Sequence, residues 1–153
     1  MASKLSPIIK YLPEVVMDTE TILGARIPDD PLTLIRELRA GLPASALEKF
    51  KRATHLGDAE IADLLQIGGR TLSRIKVSPA RRLPGDLSDR LYAVASIYAL
   101  AEQVLGERKS AVGWLSEPQF GLGNRAPFEF LSTELGRRQV RTLLEQIEHG
   151  FLA

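Results

Sequence analysis

The chain has 153 residues, 44% of them apolar and 25% charged, with a formal net charge of +1 and no cysteine. That is one domain or two small ones with a packed core, and it excludes a disordered chain, a disulfide framework and a thiolate metal site. No apolar run reaches ~20 residues, and Pro7, Lys10 and Pro13 interrupt the N-terminal stretch, so neither a membrane span nor a secretory leader is expected and the protein is read as cytoplasmic.

Residues 1–28 carry weak signals, because Pro7, Pro13, Gly24 and Pro28 break any long period. Val15, Val16 and Met17 suit a short strand or a helical turn. Asp30-Pro31 is a clear helix start, with Asp30 as cap and proline at the first helical position. Leu32, Ile35 and Leu38 follow at helical spacing, and Gly41 ends the helix. Pro43 and Ser45 open the next, roughly 44–55, with Leu47 and Phe50 inward and Lys49, Lys51 and Arg52 outward.

Asp58 is expected to cap a short helix bearing Ile61, Ala62, Leu64 and Leu65. A turn, Gln66-Ile67-Gly68, buries Ile67. A second short helix starts near Gly69, with Leu72 and Ile75 inward at i and i+3. Those anchors push Arg70, Thr71, Ser73 and Arg74 outward. Two short helices around a tight turn, the second with a polar outer face, is the layout of a helix-turn-helix that places its second helix in a DNA major groove.

Charge supports that reading. Residues 49–82 hold eight Lys/Arg against three Asp/Glu, while each flanking stretch is slightly acidic. A local basic patch attracts phosphate where the whole-chain average would hide it. Arg70 and Arg74, at i and i+4, can fork onto a guanine edge or a phosphate. Gly69, Thr71, Ser73 and Lys76 complete the expected DNA face. Arg81 and Arg82, in the loop 79–84, are expected on phosphate, which positions without specifying sequence. An ordinary solvated face is the competing account of these charges.

Asp86 or Ser88 is expected to cap a long helix to about Leu105, with Leu87, Leu91, Val94, Tyr98 and Ala101 on one stripe and Gly106 at its end. A short helix follows from Lys109 to Leu115. It leads into a loop containing Pro118, Gly121, Gly123 and Asn124. Pro127 opens another short helix to Leu131. Thr133 caps a last helix from Glu134 to His149, with Leu135, Val140, Leu143, Leu144 and Ile147 apolar and Gly150 beyond it. Trp114, the one tryptophan, is expected as a core anchor. The fold class is therefore all-α. Three segments are expected: residues 1–42 with one helix and a possible dimer contact, 43–108 as a helix-turn-helix domain, and 109–153 as a small helical module.

The stretch Asp58–Lys76 resembles the helix-turn-helix of Xre-type regulators, with Ala62, Ile67, Leu72 and Ile75 in the structural places. It departs in having Gln66 where that family usually has glycine, with Gly68-Gly69 displaced after it. The C-terminal part resembles the toxin-binding domain of Xre/MbcA/ParS-like antitoxins. The matching residues are Trp114-Leu115, Pro118, Leu122-Gly123, Pro127, Leu131, Thr133, Gly136, Val140, Leu143, Ile147 and Glu148-His149-Gly150. Asn124 stands where a second glycine is common. The two together cover about residues 30–153.

The resemblance implies an antitoxin of a type II toxin–antitoxin pair. Its partner would be a RES-class toxin that degrades NAD or ADP-ribosylates a target. The C-terminal domain would cover that toxin's active-site cleft, and the chain would repress its own operon. Arg137, Arg138 and Arg141, then His149, Gly150, Phe151, Leu152 and Ala153, are the expected toxin contacts. For the arginines the competing account is pairing with Glu134 or Glu145. For Phe151 it is packing back beyond the glycine cap.

No catalytic residue, metal or cofactor is expected. His55 and His149 are the only histidines and lie far apart, and no nucleotide-binding or HExxH pattern occurs. A homodimer is expected, through the N-terminal segment or the Leu91–Leu105 helix. Two other readings stay open: a plain transcription regulator whose C-terminal module dimerises, and an interaction protein whose helix-turn-helix no longer binds DNA.

Overall fold

The computed structural model describes residues 19–150. The possible element at Val15–Met17 and the tail Phe151–Ala153 lie outside them. The described residues are helical, joined by turns, with only two isolated bridge pairs, Pro43 with Arg82 and Gln119 with Arg125. They divide into two compact units, 19–95 and 96–150.

The first unit opens with a helical turn at 19–23. Then come α1 (Pro31–Ala40), α2 (Ser45–Thr54), α3 (Asp58–Leu65), α4 (Gly69–Lys76) and the first half of α5 (Gly85–Leu105). The start of α1 follows from sequence chemistry: Asp30 Oδ2 accepts the Thr33 amide at 2.8 Å and the Thr33 hydroxyl at 2.7 Å. Those bonds hold the Asp30 carboxyl below its ordinary value.

Gly41 ends α1 at φ +101°, where a Cβ would stand 2.1 Å from the Leu83 carbonyl oxygen. Only glycine lets these two segments touch. Beside it the Leu42 amide donates to Ser88 Oγ at 2.8 Å, and Leu83 N–H donates to the Leu42 carbonyl at 2.8 Å. Ser88 is thus buried inside α5 rather than capping it. The α1 apolar stripe is only partly used: Leu38 is buried, but Leu32 and Ile35 are 65% and 44% exposed.

The core of this unit is Phe50, Ile61, Leu64, Leu65, Leu72, Leu87 and Leu91, all buried. Gly57, not Asp58, is the cap of α3, and Glu60 Oε1 accepts the Gly57 amide at 3.1 Å. Asp58 is the first helical residue, and its carboxylate does something else. It binds Lys51 Nζ of α2 at 2.6 Å and Lys76 Nζ of α4 at 2.7 Å. Three helices are tied through one carboxylate.

The hydrogen bonds from Lys51 and then Lys76 hold Asp58 below its ordinary 3.8, and the bond to Asp58 raises Lys51 above its ordinary 10.5. The depressed Asp58 value means its stabilisation is complete above 3.8 and fades as pH falls through the lowered value. The raised Lys51 value means its share persists below 10.5 and fades as pH climbs through the raised value. Asp58→Asn is expected to lower the melting temperature modestly at neutral pH, since all three groups are partly exposed. In a pH series of melting curves the gap from wild type should close in acid and shrink with salt. An equal gap at every pH would remove the ion pairs as its cause.

The second unit holds the rest of α5, α6 (Arg108–Ser116), two 3-10 turns (Phe120–Leu122 and Pro127–Phe130) and α7 (Glu134–Glu148). The expected short helix from Pro127 is a 3-10 helix, Pro127–Phe130, with Leu131 as its cap, and both α6 and α7 pack on it. Thr133 caps α7 as expected, its hydroxyl accepting the Gly136 amide at 3.0 Å. Ala111, Leu115, Leu131, Val140, Leu143 and Leu144 are buried. Leu135 is not in that core but 65% exposed, and Trp114 is half-buried beside the fully buried Leu115.

Candidate functional site

Two surfaces carry the expected site residues. The first is α4. Leu72 is its one buried residue and Ile75 is half-buried, which fixes the opposite side outward. Gly69, Arg70, Ser73 and Arg74 line one open surface, with Thr71 half-buried at its edge. Arg74 Nη2 lies 3.5 Å from the Thr71 hydroxyl, and the Ser73 hydroxyl donates to the Gly69 carbonyl at 3.0 Å. Arg70 has no ion pair among the described residues, so its guanidinium can meet a ligand without first breaking one.

Two expected DNA contacts have other work. Lys76 sits in the Asp58 ion pair. Arg82 Nη1 donates to the Gly41 carbonyl at 2.7 Å, capping the end of α1. For both, phosphate contact would cost an existing bond. Arg81 is exposed, and its carbonyl accepts the Ala44 amide at 2.7 Å, so the loop carrying it is anchored to the start of α2.

The turn before α4 answers the question raised by Gln66. The left-handed residue is Gln66 itself, at φ 56° and ψ 47°, and its side-chain amide donates to the Asp63 carbonyl at 2.6 Å. Gly68 and Gly69 have ordinary backbone, and a Cβ at either meets open space. The turn therefore keeps its geometry by straining a glutamine, at about 1–2 kcal/mol. Ile67, half-buried, closes it. Gln66→Gly is expected to raise the stability of this unit by about 0.5–1 kcal/mol net of glycine's entropy. Thermal unfolding checks it: a melting point that falls would mean the Gln66–Asp63 bond outweighs the strain.

The second surface lies on residues 96–150. Arg137 proves to be a buried group: it is 7% exposed, with Nη1 donating to the Leu131 carbonyl at 3.0 Å and Nη2 3.4 Å from Glu134. Its Nε is buried without a hydrogen-bond partner. It holds the segment before α7 onto the helix, so the expectation of a surface contact at Arg137 is corrected by its burial. Arg138 is exposed, 3.8 Å from Glu134, while Arg141 is half-buried and His149 and Gly150 are exposed. The i, i+4 spacing of Arg137 and Arg141 put them on one face, but that face turns toward the core.

Sequence reasoning missed an exposed aromatic residue in this unit. Phe120 is 89% exposed. It sits on a loop closed by the Gln119–Arg125 bridge, with Gln119 Nε2 donating to the Trp114 carbonyl at 3.0 Å and Arg125 paired to Glu129 at 2.8 Å. The Arg125 hydrogen bond, then the Ala126 amide, hold Glu129 below its ordinary value. The available signal was an aromatic residue inside the turn-rich run Pro118–Asn124, where a core role is improbable.

Among the described residues no cluster of His, Asp and Glu is arranged to hold a metal, and no helix is long and apolar enough to cross a membrane.

Comparison with known proteins matches both surfaces. Residues 33–96 match the antitoxin Xre-like helix-turn-helix domain, and residues 100–150 match the antitoxin Xre/MbcA/ParS C-terminal toxin-binding domain. A helix-turn-helix followed by a toxin-binding domain defines an antitoxin of a toxin–antitoxin system. Antitoxin Xre of Pseudomonas putida is 32% identical over 140 residues, covering 92% of this chain and 78% of that protein. Antitoxin Xre of Yersinia enterocolitica is 28% identical over 118 residues, covering 76% and 79%. The Prs ADP-ribosylating antitoxin of a Sphingobium species is 26% identical over 132 residues, covering 80% and 82%. The chain belongs to the Xre antitoxin family.

Proposed function

We propose that this chain neutralises a RES-class toxin by binding it through residues 100–150 and blocking its active site, and that it represses its own operon through α4. The observation that carries the first part is the toxin-binding domain match over a unit whose exposed residues include Arg138, Phe120 and His149. The Sphingobium relative, named for ADP-ribosylation, supports the toxin class. The chain itself performs no chemistry: inhibition needs only that substrate be kept out. Both partners would be met in the cytoplasm. Arg141, Gly150 and the tail Phe151–Ala153 extend the proposed contact.

The test is induction of the toxin from the same operon, alone and with this chain, reading growth, NAD content and ADP-ribose on cellular protein. Growth arrest with NAD loss or ADP-ribosylation, reversed by the full chain, is expected. Arrest that the chain does not reverse would favour a plain regulator. Arrest with NAD and protein unmodified would discard the RES class.

The repression half rests on the exposed Arg70 and Arg74 beside Gly69 and Ser73. A homodimer would bring two such faces to successive grooves. The exposed Leu32 and Ile35 of α1 are the better support for it, because Leu91, Val94, Tyr98 and Ala101 of α5 are already buried within one chain. A Leu32→Glu, Ile35→Glu variant that keeps the wild-type mass in light scattering would remove α1 from the dimer.

A further inference from the structure

We propose that Phe120 and the groove that begins at its neighbour Gly121, which includes Arg138, are the apolar anchor site for the toxin; this rests on the antitoxin reading above. The groove is lined by Gly121, Leu122 and Phe130 on one side, and by Arg138, Thr142 and Leu143 of α7 on the other, with Gln139 and Gln146 at its edge. Leu135, one turn before Arg138 and Gln139 on α7, is also exposed.

Three observations point to a partner. An aromatic ring 89% in water gains nothing for the free chain. The loop presenting it is preorganised: its Gln119–Arg125 bridge, the Leu122 amide to Gln119 carbonyl bond of 3.0 Å and the Gly123 amide to Phe120 carbonyl bond of 3.1 Å fix the backbone. Gly121 lies so near α7 that a Cβ would stand 2.7 Å from Leu143 Cδ1. A ring held this way loses little entropy when buried by a partner, which is the physics of an interface hot spot.

Charge selects the occupant. Arg138 is the one charged side chain lining the groove, and it is exposed with only a long contact to Glu134. The groove therefore suits an apolar segment of polypeptide carrying a carboxylate near its end. Every residue of the groove, and Phe120, falls inside the matched toxin-binding domain, so that segment belongs to the toxin.

The experiment measures binding of the full-length chain to the operon's toxin, purified in inactive form, by calorimetry. Phe120→Ala removes the ring and Thr142→Trp fills the groove; both positions are exposed, so melting curves should match wild type. Each variant is expected to weaken binding at least about 30-fold. Lys109→Ala, elsewhere on the same unit, should leave it unchanged. Wild-type affinity in both groove variants would overturn the anchor site while leaving the antitoxin reading intact. Normal toxin binding with an altered dimer mass would assign the groove to a second copy of this chain and overturn the proposal. No binding by the wild-type chain would overturn the site and the toxin reading together.

Discussion

Gly136→Ala is expected to destabilise the 96–150 unit by about 2–4 kcal/mol or more and to weaken toxin neutralisation while α1–α4 stay folded. The cause is a single atom. A Cβ at Gly136 would lie 1.8 Å from the Phe130 carbonyl oxygen and 2.7 Å from its carbon. Both are backbone, so no side chain can swing aside. The chain must shift at the place where Thr133 caps α7 and Arg137 reaches the Leu131 carbonyl. Overpacking costs about 1–3 kcal/mol or more, and losing the cap adds about 1 kcal/mol. A unit of this size has stability of only about 3–8 kcal/mol. Gly113→Ala is the control. It lies inside α6 with open space at its Cβ and should be neutral or stabilising by about 0.5–1 kcal/mol. Hydrogen exchange resolved by segment separates the cases. Unchanged protection across 127–148 in the Gly136 variant would mean the α7 junction is softer than its geometry.

The second large effect concerns DNA. Arg70→Ala with Arg74→Ala should erase preference for the operon's own upstream sequence over unrelated DNA. Both side chains stand on the exposed face of α4, one turn apart, clear of Leu72. A forked contact to guanine is worth about 1–3 kcal/mol, so losing two should cut specific affinity roughly 100-fold. Stability should not change, because neither arginine is buried. Weak, salt-sensitive binding should remain through Arg81 and its neighbours. A binding isotherm across salt reads both parts. Sequence preference that survives the double change would mean α4 is not the reading helix.

How much of this could be read from residues alone differs between the two surfaces. On α4 nearly everything was legible, since Leu72 and Ile75 at i and i+3 fix the outward face of an eight-residue helix. Local caps were legible where the side chain speaks for itself, as at Asp30 and Thr133. They were misread where a partner distant in sequence claims the group. Asp58 goes to Lys76, eighteen residues on, and Ser88 goes to Leu42, forty-six residues back. Arg82, read as a phosphate ligand, also has a partner distant in sequence, the Gly41 carbonyl. Arg137 misled because arginine is seldom buried, and only the fold shows the Leu131 carbonyl waiting for it. Leu135 misled in the opposite sense, and Phe120 was passed over. An apolar residue at helical spacing carries no mark that says it faces water, whereas the turn-rich run around Phe120 did hold a signal that went unused.

The 96–150 unit is also knit from near neighbours along the chain: α6 and α7 both rest on the turn Pro127–Phe130 that lies between them. Such short-range wiring sets a low contact order, and helical chains of that kind fold in microseconds to milliseconds. An antitoxin gains from this. Its toxin-facing part can assemble far faster than a polypeptide is synthesised, so freshly made antitoxin is competent to bind almost at once.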